Sequence, residues 1–264
     1  MANEALKLNG EMRPIESSSG TSYMGKIGTQ QVFVKLNASP ILPLVAAEGI
    51  TPKILWTREL ENGNGSLTAQ SWIEGHVLTN AEMLHPDIPK LLMKLHTSRS
   101  IRDSLSQFDR SVKRPASVLN DLLENEESQI AKNSFLSGVA QEMQTKVPML
   151  NNLNIMVLHG DIRPSNWLLE EKTGRLYLID WDTVSLGDPF YDIGYYISHF
   201  VARADWAMMM SRLGYSLTDV SVWSKLRWYG QLAFLVHADH AMRLNNIVAA
   251  NREIQGLRLF MGQF

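Results

Sequence analysis

Cysteine is absent from the 264-residue chain, which excludes disulfide bonds and thiolate metal ligands. The amino terminus lacks the apolar core of a secretory signal peptide, and no stretch approaches the roughly 20 apolar residues needed to span a membrane. Basic residues are not in excess, because the formal net charge is -2, and no basic run favours nucleic acid. These absences predict a cytoplasmic protein that binds neither nucleic acid nor a membrane.

The composition is that of an ordinary globular protein, with 45% hydrophobic and 20% charged residues. A chain of this length suits one large domain or two small lobes around a shared cleft. No internal repeat or low-complexity segment is visible. The residue pattern changes, however, near residue 74, and the two sides of this point predict different structures.

The segment 1–73 has the composition of β-strands. Short runs rich in β-forming residues are separated by turn residues, and the NGNG sequence at 62–65 is typical of a hairpin. Strands joined by tight turns pair in an antiparallel way. We therefore expect a small antiparallel sheet followed by a connector at about 70–76. The predicted strands are 13–17, 22–27, 31–36, 53–58 and 66–72.

The segment 77–264 is helical in character. DIPKLLMKLHTS places apolar residues at helical spacing on one face. GDPFYDIG predicts a helix with Asp188 as N-cap and Pro189 in its first turn. SLTD, which begins at Ser216, resembles a capping box for a later helix. The expected fold class is α+β, with a β-rich lobe over 1–73 and a helical lobe over 77–264.

Two acid-bearing segments, HGDIRPSN (159–166) and LIDWD, follow apolar runs. The residues between them predict a hairpin, which would bring Asn166 close to Asp180. An amide oxygen and a carboxylate at one point form a site suited to Mg²⁺. Asp161 would be free to accept a hydroxyl proton, and Arg163 is placed to face a γ-phosphate. This division of labour is typical of phosphoryl transfer.

These segments resemble motifs of a known enzyme family. HGDIRPSN matches the catalytic-loop form H-x-D-x-x-x-x-N, and IDWD stands where protein kinases have D-F-G. The HGD opening and the DW pair resemble the aminoglycoside phosphotransferase and choline kinase superfamily, which has a protein-kinase-like two-lobe fold. The resemblance implies an ATP- and Mg²⁺-dependent kinase with Asp161 as catalytic base. His159 would support the loop, and Asp192 would brace it.

The resemblance also implies a nucleotide site in the β-rich lobe. The loop 17–28 lies where a phosphate-covering loop belongs, although it is not G-x-G-x-x-G. A lysine on the next strand would pair with phosphates, and QSWIEGHVL resembles the hinge that holds adenine. The implied nucleotide-binding residues are Ser19, Gly20, Thr21 and Ser22 in the loop, Lys35 on the strand, and Trp72 and Ile73 in the hinge.

Two acids have open interpretations. The family supplies a glutamate soon after the lysine strand to hold the lysine. Here the only acid in that segment is Glu48, so Glu48 is the partner of Lys35, or the pair is absent or supplied elsewhere. Asp182 is either a second metal ligand or a turn residue.

The acceptor has several candidates. TSYMGK, VFVKLN, SPILP and SWIEGHVLT resemble a small Gram-positive branch linked to cell-cycle control and to ribose- or nucleoside-type acceptors. Choline or ethanolamine, thiamine and aminoglycosides are alternatives. A nucleotide-binding regulator with weak or no turnover, acting through a protein partner, is a further possibility. A protein kinase is disfavoured because IDWD runs directly into DPFYDIG, without room for an activation loop.

The histidine pair in VHADHAMR raises a separate question. His237 and His240 lie one helical turn apart and supply only two ligands, whereas a zinc site needs three or four. We therefore expect histidines that are buried or line a cavity rather than a metal centre.

Overall fold

The computed structural model describes residues 12–15, 22–60, 63, 65–108 and 112–264. The chain divides into two compact units. One consists of residues up to 78 together with 165–183, and the other of 79–164 together with 184–264. The sequence placed a single division near residue 75. The segment 165–183 groups with the first unit because it pairs with strands and loops of that unit.

The first unit is built on a five-stranded antiparallel sheet with the strand order β1-β2-β3-β5-β4. The predicted strands are confirmed to within a few residues, although residues 16 and 17 lie outside the described residues. The bounds are Arg13–Pro14 (β1), Ser22–Ile27 (β2), Gln30–Leu36 (β3), Ile54–Glu59 (β4) and Ser66–Ser71 (β5). One short helix, Leu42–Ala47 (α1), lies between β3 and β4.

Alternation along β3 explains how this sheet is held together. Val32 and Val34 are fully buried, and Val34 pairs with the buried Ala69 of β5. These residues form an apolar core with Leu67. Because successive side chains of a strand point to opposite faces, the same register places the side chain of Lys35 on the face opposite to Val34.

A second, three-stranded sheet of the first unit contains the predicted hairpin. Trp167–Glu170 (β9) and Leu176–Leu178 (β10) are antiparallel, and Gly75–Val77 (β6) pairs with β9. Trp167 is fully buried, and the backbone N–H of Leu178 donates to the carbonyl of Ile50 at 2.9 Å. Hydrogen bonds therefore join the hairpin to the rest of the unit that contains β3.

The second unit is mainly helical, as predicted. Its small sheet has the order β7-β11-β8, with Val112–Lys113 (β7), Met156–Leu158 (β8) and Ser185–Gly187 (β11). Its helices are Asp87–His96 (α2), Arg99–Phe108 (α3), Pro115–Glu124 (α4), Ser134–Thr145 (α5), Phe190–Phe200 (α6), Trp206–Arg212 (α7), Val220–Arg243 (α8) and Ile247–Met261 (α9). Within the described ranges, no helix has both the length and the apolar character required to cross a bilayer.

The starts of α6 and α8 refine the predicted caps. Helix α6 begins at Phe190, and Asp188 accepts the backbone N–H of that residue at 3.0 Å. The capping box predicted from Ser216 is wrong, because α8 begins at Val220 and Asp219 is its N-cap. The Asp219 carboxylate accepts the N–H of Ser221 at 2.7 Å, which satisfies a backbone donor that the helix itself leaves unpaired.

Candidate active site

The loop that follows β8 is fixed by one buried carboxylate of α6. The backbone N–H of His159 donates to Asp192 Oδ2 at 2.9 Å, and the N–H of Gly160 donates to Asp192 Oδ1 at 3.0 Å. Gly160 has a φ of 84°, a left-handed conformation that glycine adopts without a steric penalty. The turn thus aims two successive N–H groups at one side chain. Asp161 follows directly.

Asp192 is held in turn by a residue that the sequence did not single out. His96, the last residue of α2, places Nε2 3.0 Å from Asp192 Oδ2, and both side chains are 1% exposed. Burial alone would raise the pKa of Asp192, but the hydrogen bonds and charge of His96 and the contacts of His159 outweigh it and lower that pKa. Asp192 is therefore a charged, buried anchor for the loop.

The Asp161 carboxylate forms a two-pronged pair with the guanidinium of Arg163. Arg163 Nε lies 2.8 Å from Asp161 Oδ1, and Nη2 contacts Oδ2. The backbone N–H of Asp161 donates to His159 Nδ1 at 3.3 Å, so the His159 ring contacts the backbone of the loop. The Asp161 side chain is 16% exposed and that of Arg163 is 52% exposed. Both therefore lie at the surface of the second unit, where a substrate can reach them.

In the first unit, Lys35 is paired with two aspartates. Its Nζ lies 2.9 Å from Asp180 Oδ1 and 2.8 Å from both oxygens of Asp182. Burial would lower the pKa of Lys35, but the hydrogen bonds that its ammonium donates to Asp182 and Asp180, together with the charges of these carboxylates, outweigh it and raise that pKa. The ammonium group stays charged, and two carboxylates on one lysine leave a net negative charge at this point.

Asn166 and Asp180 lie at the same end of the β9–β10 hairpin. Trp167 pairs with Leu178 in the ladder, and the backbone N–H of Ile179 donates to the carbonyl of Asn166 at 2.9 Å. Asp180 has a φ of 65°, a left-handed conformation that is uncommon outside glycine and that often marks a functional position. The predicted proximity of the two residues is confirmed.

The donor set at this point fits Mg²⁺. Asn166 offers an amide oxygen and Asp180 a carboxylate, and the local charge is negative. In the described part of the chain, no cluster of three or more histidine, aspartate or glutamate side chains forms a metal site. Mg²⁺ does not require one, because it commonly binds one or two carboxylates and takes its remaining ligands from water and phosphate.

The other implied nucleotide-binding residues have varied surroundings. Ser22 is buried at the start of β2 and pairs with Lys35 across the sheet. Trp72 and Ile73 are half-buried in the link between β5 and β6. Glu48 is the C-cap residue of α1. The described contacts of the Lys35 ammonium are with the carboxylates of Asp180 and Asp182. Ser19, Gly20 and Thr21 lie outside the described residues.

The second unit contains a cleft of about 560 Å³, a size typical of small-molecule sites. Polar side chains of α6 and α9 lie on its wall beside aromatic rings, and Pro164 borders it next to the catalytic-type loop. Sequence reasoning missed most of these residues, because no local pattern shows that α6 and α9 share a cavity. The polar and aromatic side chains include Tyr195, His199, Arg203, Trp206, Arg252 and Glu253.

His237 lies close to this cleft. Its ring stacks on Tyr195, with ring centroids 4.6 Å apart. Burial and then the neighbouring His199 lower the pKa of His237 to about 4, despite the opposing charges of Glu253 and Asp161. His237 is therefore neutral near pH 7 and half-buried against a ring of the cleft wall. For His240 the expectation of a buried or cavity-lining histidine is wrong, because its side chain is exposed.

Comparison with known proteins identifies the family. The sequence pattern of the phosphotransferase enzyme family matches residues 35–229, nearly three quarters of the chain. The choline kinase LicA from Streptococcus pneumoniae has 18% identity, with 94% of this chain and 93% of LicA covered and a TM-score of 0.65. LicA also has a structure in complex with AMP.

Two further structures have the same fold. APH(2")-IIIa in complex with GDP and kanamycin has 15% identity, 98% and 95% coverage and a TM-score of 0.63. A choline/ethanolamine kinase family protein from Mesorhizobium loti has 15% identity, 97% and 89% coverage and a TM-score of 0.60. The chain therefore belongs to the phosphotransferase enzyme family and has its protein-kinase-like two-lobe fold.

Proposed function

We propose that the protein is an ATP- and Mg²⁺-dependent kinase of a small, uncharged, hydroxylated metabolite, with a ribose- or nucleoside-type sugar as the best candidate. The observation that carries the proposal is the loop anchored on Asp192, which presents Asp161 beside Arg163. A carboxylate held by a rigid, buried support is what a general base requires.

Asp161 is the proposed catalytic base, which accepts the proton of the acceptor hydroxyl as the oxygen attacks phosphorus. Arg163 occupies one lone pair on each oxygen of that carboxylate in this structure, and a carboxylate has about four lone-pair positions, so Asp161 keeps capacity for the hydroxyl proton. The charge on the transferring phosphate offers Arg163 a second partner. Arg163 would thereby orient the base and stabilise the developing negative charge.

Lys35 is the proposed phosphate-binding residue, and Asn166 and Asp180 are the proposed Mg²⁺ ligands. When bound, Mg²⁺ neutralises charge on the nucleotide phosphates. Lys35 supplies a positive charge that its hydrogen bonds to Asp180 and Asp182 hold in place. Asp182 shares the lysine with Asp180, so its first role is to hold the ammonium group in place, as the family's helix glutamate does.

The charged side chains of the cleft in the second unit argue against a cationic acceptor. In the described part of its wall there are two arginines, Arg203 and Arg252, and one carboxylate, Glu253. This balance is unfavourable for a polycation such as an aminoglycoside, which requires several acids. Arg203 also lies over the Trp206 ring at 4.8 Å, so this aromatic face is already paired with a cation and is a poor site for choline.

The resemblance to a ribose- or nucleoside-linked branch supports a sugar within this class. Tyr195 and Trp206 provide flat apolar faces, and Glu253 and the arginines provide hydrogen-bonding groups for hydroxyls. A cytoplasmic location and a cell-cycle regulatory role through a protein partner stay predictions from the sequence.

The proposal is tested by ADP release from ATP and Mg²⁺ with a panel of acceptors. The panel contains D-ribose, 2-deoxy-D-ribose, nucleosides, choline, ethanolamine, thiamine and kanamycin. We expect release with a sugar-type acceptor, and a loss of about 10²–10⁴-fold in the Asp161→Asn variant. Asp103→Asn, an exposed change on α3, is the matched control and should retain wild-type turnover.

Other outcomes discriminate between the alternatives. If only choline, thiamine or kanamycin is phosphorylated, the proposed sugar-type acceptor is wrong and that compound defines the acceptor class instead. ATP binding without turnover of any acceptor above the Asp161→Asn level would favour a nucleotide-binding regulator.

A further inference from the structure

Among the described residues that line the cleft, Glu253 is the one acid. It lies on α9, and its side chain is 12% exposed. Its Oε2 is 3.2 Å from His199 Nε2, and its Oε1 is 3.5 Å from Arg252 Nε. A carboxylate has about four lone-pair positions, so these two described contacts leave acceptor capacity on a group that borders the cavity.

The position of this carboxylate is fixed by a chain of contacts. His199 Nδ1 lies 2.8 Å from the hydroxyl of Ser198, and its ring stacks on Phe234 of α8 with centroids 4.1 Å apart. The imidazole therefore has little rotational freedom, and its Nε2 is directed at Glu253. Residues of α6 and α8 thus orient an acid on α9.

Burial alone would raise the pKa of Glu253, but His199, His237 and Arg252 outweigh it and lower that pKa. The carboxylate is consequently ionised at neutral pH. The pKa of Tyr195 is raised, first by burial and then by the negative charges of Asp161 and Glu253. Pro164, which directly follows Arg163 in the loop that carries Asp161, lines the same cleft as Glu253, so the loop and Glu253 border one cavity of the second unit.

We propose that Glu253 is a specificity-determining residue, which accepts a hydrogen bond from an acceptor hydroxyl other than the one that is phosphorylated. His199 is the positioning residue that holds it. The inference rests on the proposed function and narrows the acceptor to an uncharged molecule with at least two hydroxyl groups. A hydroxyl group forms a stronger hydrogen bond with an ionised carboxylate oxygen than with a neutral oxygen.

The test combines Glu253→Gln with a series of sugars that each lack one hydroxyl. KM and kcat are measured for D-ribose and its deoxy analogues with both proteins. We expect KM for D-ribose to rise on the order of tenfold in the variant, with kcat changed much less. For one deoxy analogue, wild type and variant should have equal KM values, because the hydroxyl that Glu253 binds is already missing.

Controls separate this role from a structural one. Glu126→Gln, an exposed change outside both sites, should leave every KM unchanged, and Glu253→Asp should recover part of the loss. If removal of each hydroxyl raises KM by the same factor in wild type and in Glu253→Gln, the inference is wrong although the proposed function stands. If wild type phosphorylates no sugar, both fail.

Discussion

Asp192 is the residue on which the geometry of the candidate loop depends. It accepts hydrogen bonds from two backbone N–H groups of the loop, and His96 pairs with it at 3.0 Å in a buried position. A buried carboxylate is costly unless all its partners are retained. The stability of this region and the alignment of Asp161 therefore have a common origin.

Replacing His96 by alanine tests that dependence. The change removes a hydrogen bond to a charged, buried group, and we expect a loss of about 1.5–3 kcal/mol in the free energy of unfolding. Urea unfolding measures the effect, with His240→Ala, at an exposed site on α8, as the control. Equal stability of the two variants would contradict the anchoring role of His96.

His237 gives a pH-dependent prediction. Its pKa is about 4 in the folded protein against about 6.5 in an unfolded chain. The unfolded state therefore binds more protons between these values, and stability should fall as the pH drops from about 6.5 towards 4. Nuclear magnetic resonance titration should show the ring neutral at pH 6, and His237→Gln should flatten this part of the stability profile. A ring that titrates near 6.5 would disprove the prediction.

At the scale of elements, the close packing of α6 on α8 sets the position of Asp192. Gly194 makes this contact possible, because a Cβ atom there would lie 2.6 Å from the Cβ of Tyr229 and 2.8 Å from its backbone carbon. Alanine normally stabilises a helix relative to glycine. At Gly194 the overlap should outweigh that gain, since neither contacting atom is the end of a flexible side chain.

The expected result for Gly194→Ala is a destabilisation of about 1–3 kcal/mol together with reduced turnover. Gly138 on α5 is the matched control, because a Cβ atom there meets nothing within 4 Å. Gly138→Ala should stabilise the protein by up to about 1 kcal/mol. Thermal unfolding compares the two variants. A higher stability of both would contradict the prediction, because it would show that α6 and α8 can separate to accommodate the added methyl group.

The elements themselves were largely predictable from the sequence. Strands β2 to β5 follow from alternation and turn residues, and the β9–β10 hairpin follows from two apolar runs around a polar turn. Cap residues were less predictable, because the SLTD segment offers two competing acceptors. Asp219 takes the cap in place of Ser216, and the carboxylate is the stronger acceptor of the two.

At the scale of the whole molecule, contacts between residues far apart in the sequence could not be predicted. His96 meets Asp192 across 96 positions, and Lys35 meets Asp180 across 145. Local periodicity carries no information about such pairs. The same reason explains why the segment 165–183 was not assigned to the first unit, and why Glu253 was not recognised as a cleft residue.

The proximity of the motif residues was predictable, because their spacing in the sequence fits a hairpin. Asn166 and Asp180 were expected at one end of a hairpin, and the ladder places them there. The central proposal is that this end of the hairpin holds the divalent cation of a nucleotide-dependent kinase.

Electron paramagnetic resonance of Mn²⁺ in the presence of ATP tests this claim most directly. We predict that Asn166→Ala and Asp180→Asn each weaken Mn²⁺ binding by at least about tenfold, while Asn120→Ala, an exposed change on α4, leaves it unchanged. Mn²⁺ binding that is equally tight in wild type and in both site variants would contradict the account.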